Sequence, residues 1–231
     1  MPAIERRILG VLVEKAKTVP ESYPMTLNGI VTGCNQKNNR YPLMQLEPDK
    51  LDDPLERLRN LGAIALVQGS GRVEKYRHYL SDWLGVDKFE LAVMTELLLR
   101  GAQTEGELRQ RASRMEAIAD LPQLRTILKN LEQRGLVISL TSAGRGHVVS
   151  HNLYEPRELE KVRREFEAAG PATATEDDEP TAPRSTTAPR STGSGNSSDW
   201  RTEVDTLRSE VAALKEEVQE LREDVARLRG M

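Results

Sequence analysis

The sequence predicts a mainly α fold with small β-hairpins, arranged as two tandem winged helix-turn-helix domains plus a C-terminal coiled coil. Three observations predict it. An order of amphipathic helices followed by a glycine-centred hairpin occurs twice. The copies keep a constant offset of 73, so that Leu51, Leu55, Leu58, Gly62 and Ile64 match Leu124, Leu128, Leu131, Gly135 and Val137. Beyond a stretch without an apolar set, the last thirty-odd residues carry a heptad of valine and leucine. The expected boundaries are 1–84 and 85–168 for the two domains, 169–199 for a disordered linker and 200–229 for the coiled-coil helix.

The first helix is expected over residues 3–17, because Ile4, Ile8, Val11 and Leu12 fall on one stripe. Thr18-Val-Pro-Glu-Ser22 breaks it, and Thr26 can cap a second helix on which Leu27, Ile30 and Val31 share a face. That helix fades at Gly33 to Asn35 into a polar loop, Asn35 to Arg40. A third helix begins with Asp53 as cap, Pro54 at the first position and Glu56 beyond, and Gly62 ends it. Ala63 to Val67 and Val73 to Leu80, joined by Gly69-Ser-Gly71, form the hairpin expected to be the wing.

In the second copy Asp87 and Glu90 open a helix carrying Leu91, Met94, Leu97 and Leu98, and Thr104 with Glu107 caps the next. Asp120 starts a third helix that buries Leu124, Ile127, Leu128 and Leu131. Leu136 to Leu140 and His147 to Tyr154 are the second hairpin, and Glu155 to Glu167 a charged helix leaving the domain.

Gly170 to Ser198 is rich in Pro, Ala, Thr, Ser and Gly, and repeats Thr-Ala-Pro-Arg-Ser-Thr at 181–186 and 187–192. It has no apolar face to bury and is read as disordered. The tail places Val204, Val211, Val218 and Val225 at a and Leu207, Leu214, Leu221 and Leu228 at d, the pattern of a parallel two-stranded coiled coil. The flanking charges agree, pairing Glu203 with Arg208, Glu210 with Lys215, Glu217 with Arg222 and Asp224 with Arg229. A homodimer is therefore expected; no buried Asn fixes the register, so a trimer stays open, as does a lone helix docked on its own body.

Three stretches carry a resemblance. Tyr-Pro-x-Thr-Leu-Asn and Cys-Asn-Gln-Lys-x-Asn-Arg, at 23–28 and 34–40, together with Lys75-Tyr-Arg-His78, resemble the signature of the YceH-like family of bacterial proteins, whose biochemical role is unassigned. Asn38 stands where that signature has Ser, and Tyr41 where it has Asp. The resemblance covers roughly the first 165 residues and implies two tandem winged-helix domains, with no activity attached.

Composition bounds the function. Residues 1–170 hold 25 basic and 23 acidic side chains, a near-neutral body that argues against indiscriminate polyanion binding but leaves room for a local patch. The single Cys34 excludes an internal disulfide and a multi-cysteine zinc site. Neither a signal-peptide pattern nor a run near the roughly 18 apolar residues of a membrane span is present, so a cytoplasmic protein without membrane contact is expected. His147 and His151 share a strand face without a carboxylate or thiol at ligand spacing, and phosphate-loop, dinucleotide and metalloprotease motifs are absent. Neither enzymatic activity nor a cofactor or metal is expected.

The remaining candidates concern nucleic acid. The last helix of the second domain presents Arg125, Thr126, Lys129, Asn130 and Gln133 as well as Gln123, donors suited to base edges and phosphates, and its wing adds Arg145 between two glycines. In the first domain Asp49, Asp52, Asp53 and Glu56 crowd the start of the corresponding helix and would repel phosphate. Its cations lie around that helix instead: Lys37 and Arg40 in the loop, Arg72, Lys75 and Arg77 in the wing. The asparagines of the loop also suit a purely structural role, capping and left-handed turns. The expected function is a DNA-associated, regulatory protein acting on double-stranded DNA. The alternative is an adaptor that uses the same fold to bind a protein partner, favoured by the near-neutral body and the acidic third helix.

Overall fold

Glu5 to Glu14 is a run of ten residues of helix α1 (Ala3–Thr18) that are all buried, charged side chains included. A helix at a protein surface buries one stripe; this one is covered all round. The structure, a computed structural model, describes residues 1–68 and 73–168, and within it α1 packs against both halves of the sequence. Ile8, Val11 and Leu12, expected on the inward stripe, are fully buried, but so are Leu9 and Val13. The second surface is taken by α5 (Lys88–Arg100), itself buried from Glu90 through Leu99.

The first half continues through α2 (Leu27–Cys34), capped by Thr26, whose Oγ1 accepts the Gly29 amide at 3.2 Å. A 3-10 turn at Pro48–Lys50 then leads into α3 (Asp52–Asn60). Here the expectation is corrected. The turn feeds the helix directly, so it starts two residues early, Leu51 stands at the cap without a side-chain bond, and Asp53 lies inside the first turn. Gly62 at φ +74° ends the helix, a left-handed conformation that glycine adopts without strain. Strands β1 (Ile64–Gln68) and β2 (Glu74–His78) form the antiparallel hairpin, with Ala65 opposite Arg77 and Val67 opposite Lys75. A short helix α4 (Leu80–Leu84), beginning where the strand was expected to end and not itself expected, joins the halves.

The second half repeats the order. Asp87 caps α5 and Thr104 caps α6 (Glu105–Ala112), both as the reciprocal boxes read from sequence. Asp120 caps α7 (Leu121–Gln133), and Gly135 at φ +68° follows its end as Gly62 follows α3. Strands β4 (Val137–Ser139) and β5 (Val148–His151) pair antiparallel, and β3 (Gln103–Thr104) adds a third strand in the order β3-β5-β4. The equivalent in the first half is one bridge, Met25 to Tyr76, also immediately before a capped helix. Helix α8 (Pro156–Ala168) closes the described chain.

One apolar cluster runs through both halves, from Ile8 and Ile30 to Leu108, Leu131 and Val149. Two glycines permit the close helix contacts within it. A Cβ on Gly33 would lie 2.5 Å from Val11 Cγ1, and one on Gly10 would lie 2.8 Å from the Leu99 side chain. No described helix is long and apolar enough to cross a membrane. The expected linker, coiled coil and dimer residues lie outside the described residues.

Candidate nucleic-acid interface and a buried ion network

The exposed face of α7 follows from its apolar spacing. With Leu124, Ile127, Leu128 and Leu131 turned inward, Arg125, Thr126, Lys129, Asn130 and Gln133 are all exposed. Lys129 and Arg145 make no ion pair among the described residues, whereas Arg125 is engaged: its Nε lies 2.8 Å from Glu105 Oε2. Thr126 donates its hydroxyl to the Pro122 carbonyl at 3.1 Å. Glu132, the one acid on the exposed stretch, accepts the Ser139 hydroxyl at 2.6 Å. Arg145 is exposed in the loop of the β4–β5 hairpin.

Glu105 ties this surface together. Besides Arg125 it meets His147, whose Nδ1 is 2.9 Å from Oε1, while His147 Nε2 is 2.9 Å from Ser139 Oγ. Burial alone would raise the Glu105 carboxyl, but the bonds from His147 and Arg125 outweigh it and hold the group below its usual range. The Ser139–His147–Glu105 spacing imitates a nucleophilic triad, yet its proton balance differs. Ser139 has one proton, and the Glu132 carboxylate takes it at 2.6 Å. With that proton directed at Glu132, the Ser139 hydroxyl is not held for transfer to His147, whose two ring nitrogens bridge Ser139 and Glu105. The chain of bonds fixes the hairpin against α6 and α7. Sequence spacing did not reveal it, since the four residues span positions 105–147.

In the first half the candidate cations separate. Lys37 and Arg77 are exposed, and Lys75 is half-buried. The Arg77 guanidinium sits 5.6 Å above the Tyr79 ring. Arg72 lies outside the described residues. Arg40, expected as a phosphate donor, is instead 3 % exposed and is bonded on every side: Glu14 at 2.5 Å, the Gly33 carbonyl at 2.9 Å and Gln36 at 2.9 Å. Its length lets it reach back under the loop to α1 and satisfy a carboxylate that α1 carries into the core. The remaining loop residues serve the same shape. Asn35 brackets Leu46, donating to its carbonyl and accepting its amide, both at 2.8 Å. Asn39 takes φ +58° and accepts from Arg100 at 3.1 Å. Cys34 is fully buried, and burial pushes its thiol up to about 12, removing it from thiolate chemistry.

Glu14 also meets Arg114 at 3.5 Å, and Arg114 meets Glu96 of α5 at 3.3 Å. The network thus crosses the α1–α5 seam. Among the described residues Glu96 Oε1 has no hydrogen bond, since Arg100 stands 4.0 Å away, and burial raises this carboxyl despite Arg114 and Arg100. His147 and His151 do not converge as a metal pair: His147 bonds Glu105, while His151 is 2 % exposed and stacks on Tyr154 at 4.0 Å.

Residues 1–145 match the profile of a family described as "Protein of unknown function, DUF480". A UPF0502 protein of Rhodopirellula baltica is 52 % identical over 169 residues, 71 % of each chain. One from Pelobacter propionicus is 44 % identical over 173 residues, 73 % of this chain and 79 % of its own. The UPF0502 protein YceH of Salmonella newport is 44 % identical over 139 residues, 58 % of this chain and 65 % of its own.

Proposed function

Because the chain belongs to the DUF480 family of unknown function, which brings no assigned activity, we propose from its surface that it binds double-stranded DNA as a tandem winged-helix protein. One observation carries this: Lys129, Asn130, Gln133 and Thr126 are exposed together along α7, beside a hairpin whose tip holds the exposed Arg145. In a winged helix the corresponding helix enters the major groove and the wing lies on the flanking backbone. Lysine and arginine then contact phosphates or guanine, and the amides read adenine. Glu132 keeps its negative charge but stands in the last turn of α7, held towards Ser139 of the hairpin. Arg125, paired with Glu105, adds no net charge, but the pair fixes the helix relative to α6 and, through His147, to the wing. In the first half, Lys37, Lys75 and Arg77 supply backbone contacts, whereas Asp52, Asp53 and Glu56 lie exposed on α3 and keep that helix out of a groove. A regulatory role and dimerisation through residues 200–229 complete the proposal.

The test is fluorescence anisotropy on mixed-sequence duplex DNA across a salt series. Affinity should fall steeply between about 50 and 200 mM salt, as released counterions require. Lys129→Glu with Arg145→Glu should abolish binding without lowering the melting temperature, since neither side chain has an ion-pair partner among the described residues. Unchanged affinity in that double variant removes α7 and its wing from the interface. Absence of binding at low salt favours the second reading, an adaptor for a protein partner, for which the exposed Tyr41 and Leu43, 70 % and 63 % accessible, supply the specific observation.

A further inference from the structure

A cavity of about 250 Å³ lies between the start of α1, the 41–44 loop, the end of α5, the end of β5 and α8. Pro42, Met44, Leu98, Val162 and Phe166 give it apolar walls. Its polar lining comes from Arg6, Arg7, His151 and Tyr154, with Glu158 and Glu165 on α8. This site is separate from the α7 surface and does not depend on the DNA reading.

The two arginines differ in how their charge is met. Arg6 is compensated: its guanidinium bonds Glu158 at 2.5 Å, bonds the Met1 carbonyl and lies 4.8 Å from the Tyr154 ring centre. Arg7 is 1 % exposed and has no carboxylate partner among the described residues. It donates to the Cys34 carbonyl at 3.1 Å and the Pro42 carbonyl at 2.7 Å, and its Nε is buried without a hydrogen bond to any described residue. Three of its five N–H donors therefore have no partner among the described residues. A buried guanidinium held by carbonyls alone is expensive, and a counter-charge in the adjoining cavity would offset that cost. His151, which lines the same cavity, adds no second positive charge. Its Nδ1 accepts the Leu153 amide at 3.2 Å, and burial, then the charges of Arg6 and the amino terminus, push it down to about 3, so it stays neutral.

We propose that this cavity binds a small monocarboxylate with an apolar or aromatic body, its carboxylate placed at Arg7 and its body against Leu98, Met44, Val162 and Phe166. One uncompensated guanidinium calls for one negative charge, and planar carboxylates match the arginine fork. A phosphate dianion would bring excess charge towards Glu158 and Glu165. The volume exceeds the roughly 150 Å³ known to admit benzene, which leaves room for a ring with a short acid chain. Because α8 supplies Val162, Phe166 and Glu158, an occupant would also brace that helix.

The probe is phenylpropanoate, titrated by calorimetry into the full chain beside phenylpropanol and phenylpropylamine. The acid should bind at least about tenfold more tightly than the alcohol, and the amine should not bind. Arg7→Gln should remove the preference of acid over alcohol. Since Arg7 is buried and its loss threatens the fold, Val162→Trp supplies an independent block: it fills the cavity from α8 and should abolish binding at an unchanged melting temperature. Glu158→Gln, which removes a competing carboxylate, should tighten the acid. Equal affinity for acid and alcohol, no binding of the acid at millimolar concentration, or full affinity in Val162→Trp would each overturn the proposal.

Discussion

Glu14 and Arg40 show how a single side chain redirects a functional expectation. An arginine in a polar loop reads as a surface cation, and nothing local distinguishes Arg40 from Lys37, three residues earlier. The difference is a carboxylate 26 positions back, on a helix that the fold buries all round. Breaking a buried pair leaves a desolvated charge, at a cost of about 3–5 kcal/mol, more than the pair itself contributes. Glu14→Gln should therefore lower stability by about that amount in urea denaturation, less whatever Arg40 recovers from Gln36. Adding Arg40→Gln should cost less than the sum of the two single changes. Strict additivity would show that the two groups act independently and would sink the assignment. The same logic sorts the rest of the 35–40 loop: Asn35 and Asn39 are spent on backbone and Arg100, and Lys37 alone among its cations stays exposed.

Helices in this protein are placed by what they lack as much as by what they bury. Gly33 sits where α2 crosses α1, and a methyl group there would meet Val11 Cγ1 at 2.5 Å, far inside van der Waals contact. Gly33→Ala should destabilise by about 1–3 kcal/mol, the usual cost of overpacking. Val11→Ala in the same chain should recover part of that loss, because it removes the obstructing methyl groups. A double variant less stable than both single variants would mean that the cost at Gly33 has another source. Helix ends were largely legible in sequence. Thr26, Asp87, Thr104 and Asp120 cap as their side chains suggest, because capping is settled within four residues. Asp53 was the exception, since a 3-10 turn three residues upstream decides where α3 begins. Strand β3 escaped notice for a related reason: two residues carry no periodicity, and Gln103–Thr104 is a strand only because β5 lies alongside it.

At the scale of the whole molecule the two halves share one apolar core, built on the α1–α5 seam and the Glu14–Arg114–Glu96 network across it. All described residues fall within a single compact unit. Self-association is proposed to come from the tail and not from this body. A chain ending at residue 168 should accordingly stay folded and monomeric in light scattering, while the full chain runs as a dimer. A truncated chain that is still dimeric would transfer the interface to the body and leave the valine–leucine heptad without its assigned role.

The sequence by itself determined what nearest neighbours control. Helix faces, caps, glycine stops and the repeated order are all set by the chemistry of residues a few positions apart. So was the exposed polar face of α7, since burying Leu124, Ile127, Leu128 and Leu131 leaves Lys129, Asn130 and Gln133 no other side to occupy. Tertiary structure alone decided which of the polar residues remained available. It paired Arg125 with Glu105, hid Arg40 beneath its loop and left Arg7 buried without a carboxylate partner among the described residues. A charge costs little in water and much in a core, and whether it lies in one or the other depends on elements that only folding brings together.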